Sequence, residues 1–302
     1  MLTVKAYAKI NIVLEVLGRR SDGYHNIASI IQTIDMNDVL SFMPSRDIEI
    51  VCNKSELNSP DNLILKAANL LCEAGRCESG VTIHLQKKIP IAAGLGGGSS
   101  DAAATLIALN KLWGLNFPID QLRHIASDIG FDVPFFLYGG TALVEGRGDW
   151  VTSLPSLLSL PIVLLRPDIK LLNKTRQLYD CLTPAQYTSG NLARLAVEQL
   201  QHNEEISPLS YFNVFESVAF NIFPLLEEYR QQFISAGAAR IHLAGSGPTL
   251  FSVMSKQSDA EKVTERLLQA GLEAYLTRTL GKAEQDSLSD STTAHVEEIN
   301  YL

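Results

Sequence analysis

The sequence predicts an α+β protein of two domains, and three observations carry that expectation. The chain opens with a period-two alternation from Leu2 to Val16, the signature of a strand. Four glycines, Gly94 and Gly96 to Gly98, stand between a strand-like and a helix-like segment. Finally, a break at Leu154-Pro155-Ser156 is followed by a fresh apolar strand, several helices and a second glycine turn at Gly245–Gly247. The expected units are residues 1–155, a mixed α/β domain with the glycine-rich loop, and residues 156–280, an α+β domain. Residues 281–302 form a polar acidic tail without the apolar period needed to dock on a core, and are expected to be disordered.

Composition narrows the function classes. With 46% hydrophobic and 19% charged residues the chain suits a well-cored globule, not a disordered one. Lys and Arg number 25 against 33 Asp and Glu, a net charge of −8, which argues against a nucleic-acid partner. Any phosphate site must therefore be built locally, from amides and a few placed lysines. Cys52, Cys72, Cys77 and Cys181 show neither a Cys-x-x-Cys pair nor metal-ligand spacing and read as buried free thiols. The opening residues lack a basic-then-apolar leader, and no run of about 18 apolar residues occurs. The expectation is a cytoplasmic protein with no membrane partner, a monomer or weak homodimer.

Each element follows in order. The first strand puts Val4, Ala6, Ala8, Ile10, Ile12, Leu14 and Val16 on one face and Lys5, Tyr7, Lys9, Asn11, Val13 and Glu15 on the other. On pattern alone the second face is solvated. Gly18 to His25 reads as a hairpin loop that places an aromatic beside an imidazole. Strands are expected near Ser29–Thr33, Val39–Met43 and Ile48–Cys52. Ser59 and Pro60 then serve as N-cap and first residue of a helix over Asp61–Ala74, closed by Gly75. Val81–Leu85 is a strand ending at Lys87 and Lys88, which either flank the loop or form a surface lysine pair. After the glycines, Asp101 to Trp113 is helical and stops at Gly114.

The glycine-rich loop between that strand and helix is an anion site in prospect. Glycine admits positive φ and close approach of a ligand, and a helix N-terminus presents unpaired N–H groups. Two common phosphate motifs do not fit. From Gly94 the sixth position of a dinucleotide fingerprint holds Ser99, and Gly-Lys-Ser/Thr occurs nowhere. The His-Arg-Asp and Asp-Phe-Gly elements of protein kinases are absent too.

A helix over Ile119–Ile129, stopped by Gly130, leads to Phe131-Asp132-Val133-Pro134-Phe135-Phe136. An acid in such company is expected to be partly buried and in need of a partner, and on pattern alone it reads more readily as a cap for the turn at Pro134 than as a catalytic group. Gly139–Gly148 is a strand and turn, and Leu160–Arg166 the next strand. Asn173–Tyr179 begins a helix with Thr175 and Tyr179 on one face. Further helices are expected over Asn191–Gln201 and from Asn213 to Ala236, the latter interrupted at Pro224. Arg240–Val253 is a strand, turn and strand, followed by a helix over Asp259–Gln269 and a last strand over Glu273–Thr279.

Several of these segments carry a resemblance. Pro90-Ile-Ala-Ala-Gly94-Leu95-Gly96 with Gly97, Gly98, Ser99 and Ser100 resembles the second motif of the GHMP small-molecule kinases, and Gly245-Ser246-Gly247 with its flanking strands the third. Ala6-Tyr7-Ala8-Lys9-Ile10-Asn11 and Arg20-x-Asp22-Gly23-Tyr24-His25 resemble one branch, the 4-diphosphocytidyl-2-C-methyl-D-erythritol kinases. Asp132-Val-Pro-Phe-Phe is similar to the element that supplies their catalytic aspartate, although Phe131 stands where Ala or Ser is usual. The likeness covers roughly residues 3 to 280.

What the resemblance implies is specific. The fold would be the two-domain GHMP kinase fold with a ferredoxin-like C-terminal domain. ATP, accompanied by Mg²⁺, would meet Asn62, Lys87, Pro90, Gly94, Leu95, Gly96, Gly97, Gly98, Ser99 and Ser100. Asn11, Tyr24, His25, Thr175 and Tyr179 would hold the acceptor, with Tyr24 and Tyr179 stacking on its cytosine and His25 reading its edge. Asp132 would act as base beside Lys9 while the 2-hydroxyl of 4-diphosphocytidyl-2-C-methyl-D-erythritol is phosphorylated, a step of non-mevalonate isoprenoid synthesis. No side chain is singled out as a Mg²⁺ ligand. Two rivals stand beside this reading: a GHMP kinase for another alcohol, and a nucleotide-binding module without catalysis.

Overall fold

A computed structural model describes residues 1–157 and 159–293. The opening alternation forms β1 (Leu2–Arg19), which pairs antiparallel with β2 (His25–Ser45) from Leu2 opposite Phe42 to Arg19 opposite His25. The two strands expected within β2 are continuous because β1 offers a partner along the whole length. Three irregularities in register, at Tyr7/Ala8, Asn11/Val13 and Val16/Gly18, change which side chains face which layer.

Next come β3 (Ile48–Cys52), α1 (Leu63–Gly75), β4 (Gly80–Gln86), α2 (Gly97–Leu112), α3 (Ile119–Ile129), α4 (Val133–Tyr138), β5 (Thr141–Gly146) and β6 (Trp150–Leu154). β4 pairs with β2 and with β3, while β5 pairs with β2 further along and with β6. α1 begins two residues later than the Ser59–Pro60 signal suggests. Asn62 is its cap, its Oδ1 accepting from Ile64 N at 2.9 Å while its Nδ2 donates to Leu57 O at 2.8 Å. α2 begins inside the glycine run, since left-handed Gly96 (φ 73°) turns the chain into the helix and so aims the first amides into the loop.

The remaining elements are β7 (Pro161–Arg166), α5 (Lys174–Cys181), α6 (Asn191–Gln201), β8 (Phe212–Asn213), α7 (Glu216–Ile222), α8 (Pro224–Ser235), β9 (His242–Leu243), β10 (Leu250–Val253), α9 (Gln257–Gln269), β11 (Glu273–Arg278) and α10 (Lys282–Thr293). The second sheet runs β11-β7-β10-β9 with antiparallel neighbours, the ferredoxin-like order. The long helix expected from Asn213 does not form as one piece. Phe212 and Asn213 pair parallel with Val13 and Leu14 of β1, and the helical part splits before Pro224.

Three apolar clusters hold the layers together. One lies between the first sheet and α1 to α4, with Phe42, Leu71, Leu106 and Phe135 at its centre. A second joins β1 to the second sheet and α6 through Ile10, Ile12, Ile30, Ile162, Ala193 and Phe251. The third packs α5 and α7 to α9 against Val16, Val163 and Leu250. β1 is thus covered on both sides, and the expected solvated face does not exist: Lys9 is 4% and Asn11 5% exposed. Ile10 and Ile12 are wholly buried. At about 1.5–3 kcal/mol for each such side chain, a slip in register is costly.

The tail differs from expectation as well. Lys282–Thr293 is helical, and the attachments of its described side chains are polar, which an apolar period does not reveal. Gln285 Oε1 accepts from Gly140 N at 3.2 Å, and Arg278 bridges Asp35 and Glu284. Just before it, Leu280 N donates to Thr33 O at 2.9 Å and its carbonyl accepts from Gln32 Nε2 at 2.9 Å. Residues 294–302 of the tail lie outside the described residues. The four cysteines are free, but Cys181 is exposed and Cys72 and Cys77 only partly buried, against the expectation of burial. Among the described residues no helix is long and apolar enough to cross a membrane.

Candidate active site

Two glycine turns meet at the centre of the molecule. A Cβ on Gly94, whose φ is 84°, would stand 2.1 Å from Ala244 O, so the loop after β4 can lie against the Gly245–Gly247 turn only with glycine there. Thr249 N donates to Ala93 O at 3.2 Å and Lys9 N to Leu95 O at 3.0 Å, tying the loop to the second sheet and to β1. Asn213 fixes the other turn: its Nδ2 donates to Leu243 O and Gly245 O, each at 2.8 Å. These anchors fix the loop that leads into the N-terminus of α2.

A cavity of about 440 Å³ lies on one side of the loop and one of about 320 Å³ on the other. They share Gly94, Gly96 and Ser99 as a common wall. The larger brings together Asn62, Lys87, Pro90, Gly97 and Gly98, as expected for one ligand, and adds Leu57 and Lys174. Leu95 and Ser100 are buried and line neither cavity: Leu95 packs into the apolar cluster behind the loop, and Ser100 lies on the inward side of α2. The smaller brings together Lys9, Asn11, Asp132, Thr175 and Tyr179.

Lys9 and Asn11 share a face because they are two residues apart on β1. Lys9 Nζ donates to Asn11 Oδ1 at 2.7 Å, Asn11 Nδ2 to Ser29 Oγ at 2.8 Å, and Ser29 Oγ to Val13 O at 2.6 Å. This relay holds the ammonium toward Asp132, whose Oδ2 lies 3.9 Å away. Asp132 occupies the cap position of α4 but makes no side-chain capping bond. Its side chain is 47% exposed, partly buried as expected, and the carboxylate faces the cavity with Lys9 as its cationic partner. The reading as a helix cap therefore loses its physical basis.

Around the smaller cavity stand the rings. Tyr24 packs edge-on to Phe131 with centroids 5.2 Å apart, and the Arg147 guanidinium lies 5.7 Å from the first ring and 5.2 Å from the second. His25 stacks on Tyr179 at 4.7 Å, its Nε2 3.4 Å from Tyr187 Oη. Phe131, Arg147 and Tyr179 line the cavity, while Tyr24 and His25 stand behind them. Burial, with Arg19 nearby, pushes the His25 imidazole below its usual range, which favours the neutral ring with one donor and one acceptor nitrogen. Burial and the Asp132 charge push the Tyr179 phenol well up. Thr175 Oγ1 lies 2.7 Å from Ser246 Oγ, closing α5 onto the glycine turn.

Sequence reading missed Arg147, Lys174, Asn213, Asp38 and Asp101, and noted Phe131 only as a neighbour of Asp132. Lys174 Nζ donates to Ala92 O at 2.8 Å, and burial together with Lys9 lowers its pKa. Its position beside Thr175 on a pocket-facing helix was the available signal. The Lys87 ammonium is held by Asp38 at 2.6 Å and Asp101 at 2.5 Å, so the surface-pair alternative fails for it. No local pattern joins three residues so far apart in the chain.

Known proteins resemble this arrangement closely. The family described as GHMP kinases N terminal domain matches residues 62–140, and GHMP kinases C terminal matches residues 191–273. A 4-diphosphocytidyl-2-C-methyl-D-erythritol kinase of Dehalococcoides mccartyi (strain CBDB1) is 46% identical over 93% of this chain and 99% of its own. The protein of that name from Thermoanaerobacter pseudethanolicus is 37% identical over 93% of this chain and 97% of its own. A crystal structure of 4-(cytidine 5'-diphospho)-2C-methyl-D-erythritol kinase superposes with a TM-score of 0.79 at 32% identity, covering 93% of this chain and all 100% of the other. The homoserine kinase of Cytophaga hutchinsonii, at 18% identity and a TM-score of 0.71, shares the fold. The chain belongs to the 4-diphosphocytidyl-2-C-methyl-D-erythritol kinase family of the GHMP kinases.

Proposed function

We propose that this protein transfers the γ-phosphoryl group of ATP to the 2-hydroxyl of 4-diphosphocytidyl-2-C-methyl-D-erythritol. The observation that carries the reading is the pair of cavities with a common glycine wall, with Lys9 and Asp132 on the acceptor side of it. A donor and an acceptor bound in the two spaces would present their reacting groups to each other at Gly94, Gly96 and Ser99, and phosphoryl transfer depends mainly on such positioning and on charge compensation. MgATP is the donor substrate. Its phosphates lie along the amides of Gly96 to Ser99, with Lys174 as an added cation and Asn62 and Pro90 on the base side.

Asp132 accepts the hydroxyl proton as the oxygen bonds to phosphorus and the bond to ADP breaks. Lys9, steered by Asn11 and Ser29, offsets the charge on that oxygen. Tyr179 and Phe131 present ring faces to the cytosine, while Tyr24 and His25 brace those rings, and Thr175 fixes the wall near the diphosphate. Residues 1–155 carry the loop and the catalytic pair, and 156–280 lay α5 and the second glycine turn over them. Two small charged substrates suit a cytoplasmic enzyme acting as a monomer or weak homodimer. The test is ATP consumption by the purified protein with this acceptor beside galactose, homoserine and mevalonate. Turnover confined to the cytidine-bearing alcohol is the expected result, and turnover with another acceptor alone would overturn the assignment.

A further inference from the structure

Beneath the glycine-rich loop lies an ion cluster that phosphoryl transfer does not call for. Lys87 Nζ sits between Asp38 Oδ2 at 2.6 Å and Asp101 Oδ2 at 2.5 Å. Asp38 is fully engaged, since its Oδ1 also accepts from Lys88 N at 2.5 Å and Ile89 N at 2.8 Å. Asp101 is not. It is 2% exposed, and its Oδ1 is buried without a hydrogen-bond partner. The cluster touches the loop directly: a Cβ on Gly97 would lie 2.9 Å from Lys87 Nζ, and both Lys87 and Asp101 line the larger cavity.

One ammonium between two carboxylates leaves a buried negative charge under the place where phosphates are to bind. The charged groups facing Asp101 are Lys87, from the chain after β4, and Asp38, from β2. The Cys52 thiol of β3 feels the same three charges; burial, with Asp101 and Asp38 adding to it and Lys87 opposing it, raises its pKa, so it adds no charge near neutral pH. Of the four carboxylate oxygens in the cluster, Asp101 Oδ1 alone accepts no hydrogen bond, and the Asp38 carboxylate beside it favours a proton between the two groups.

We propose that Asp101 takes up a proton as nucleotide phosphates enter the loop, so that nucleotide binding is coupled to protonation, with Lys87 as the positioning residue that holds Asp101 beneath Gly97. This inference rests on the larger cavity being the nucleotide site. Protonation cancels the cluster's excess charge and lets Oδ1 become a donor. Burial, with Asp38 adding to it and Lys87 opposing it, pushes the Asp101 carboxyl up to about 8, where the coupling would act.

The test is calorimetric binding of the ATP analogue AMP-PNP with Mg²⁺ to the full chain at pH 6 and pH 8.5, each in two phosphate-free buffers that hold that pH and differ in ionisation enthalpy. The expected result is a heat that depends on the buffer at pH 8.5, corresponding to uptake of a large fraction of one proton per nucleotide. At pH 6 that uptake should vanish, because the carboxyl already carries its proton. Asp101→Asn, which cannot titrate, should bind without the uptake and lose affinity less steeply as pH rises. Binding by the parent with no uptake at pH 8.5, or the same uptake in Asp101→Asn, would overturn the coupling alone. Absence of AMP-PNP binding at either pH would overturn the nucleotide site and the coupling with it. The parent measurement stands whether or not the variant folds.

Discussion

The Lys9 ammonium lies 3.9 Å from the Asp132 carboxylate, close enough for charge attraction and too far for a hydrogen bond. Lys9 spends its direct bond on Asn11, at 2.7 Å, and leaves Asp132 with an unshared lone pair toward the cavity. An acceptor hydroxyl can therefore reach both groups at once.

Replacing Asp132 with Asn keeps the size and an acceptor oxygen but removes the carboxylate proposed as the base. Turnover is expected to fall by about 10² to 10⁴, with affinities for ATP and acceptor changing far less. Because no capping bond exists to lose, the melting temperature should hold. A folded variant within a few-fold of parent turnover would show that the proton leaves by another route.

Tyr24→Ala removes the ring that braces Phe131 and the face on which Arg147 lies. An edge-to-face aromatic pair is worth about 0.5 to 1.5 kcal/mol, so losing this brace should weaken acceptor binding by roughly two- to tenfold. Calorimetry with each ligand separately checks this. An equal loss of ATP affinity would count against the division into two cavities.

Ending the chain at Gly281 removes α10 with its contacts to Gly140 and Arg278. It also uncovers Tyr7, whose phenol is pushed up to about 12 by burial and by the charges of Asp35 and Glu284. A loss of about 1 to 2 kcal/mol, or several degrees in melting temperature, is expected. An unchanged melting curve would mean that the tail helix contributes nothing to the fold.

Stability should also depend on Asp101. Its carboxyl stands at about 8 in the folded chain against an ordinary value of 3.8, so between those limits the folded state binds the extra proton. Stability from this group is therefore greatest at low pH, falls as pH rises through that window and levels off above it. Asp101→Asn lacks the slope, and its melting temperature should gain on the parent's between pH 5 and pH 9. Parallel melting profiles would refute the assignment of the proton to Asp101.

By itself the sequence determined the local chemistry. Alternation set β1 and put Lys9 and Asn11 on one face. Four glycines before an alanine-rich helix marked the loop at which the two cavities meet, and the run around Asp132 marked an acid at a short turn. Each of these depends on neighbours within a few residues, where steric limits on the backbone and side-chain period act directly. Tertiary structure decided what covers each face and which groups meet. Lys9 is buried because the glycine-rich loop at Gly96 and the turn at Gly245 close over its side of β1, and Asp132 makes no capping bond because its carboxylate turns toward Lys9 instead of toward the amides of α4. Lys87 is claimed by Asp38 and Asp101, and α10 docks through Gly140 and Arg278. Such pairings bring together residues tens to hundreds of positions apart, and their energy comes from burial and charge neutralisation that no local pattern records.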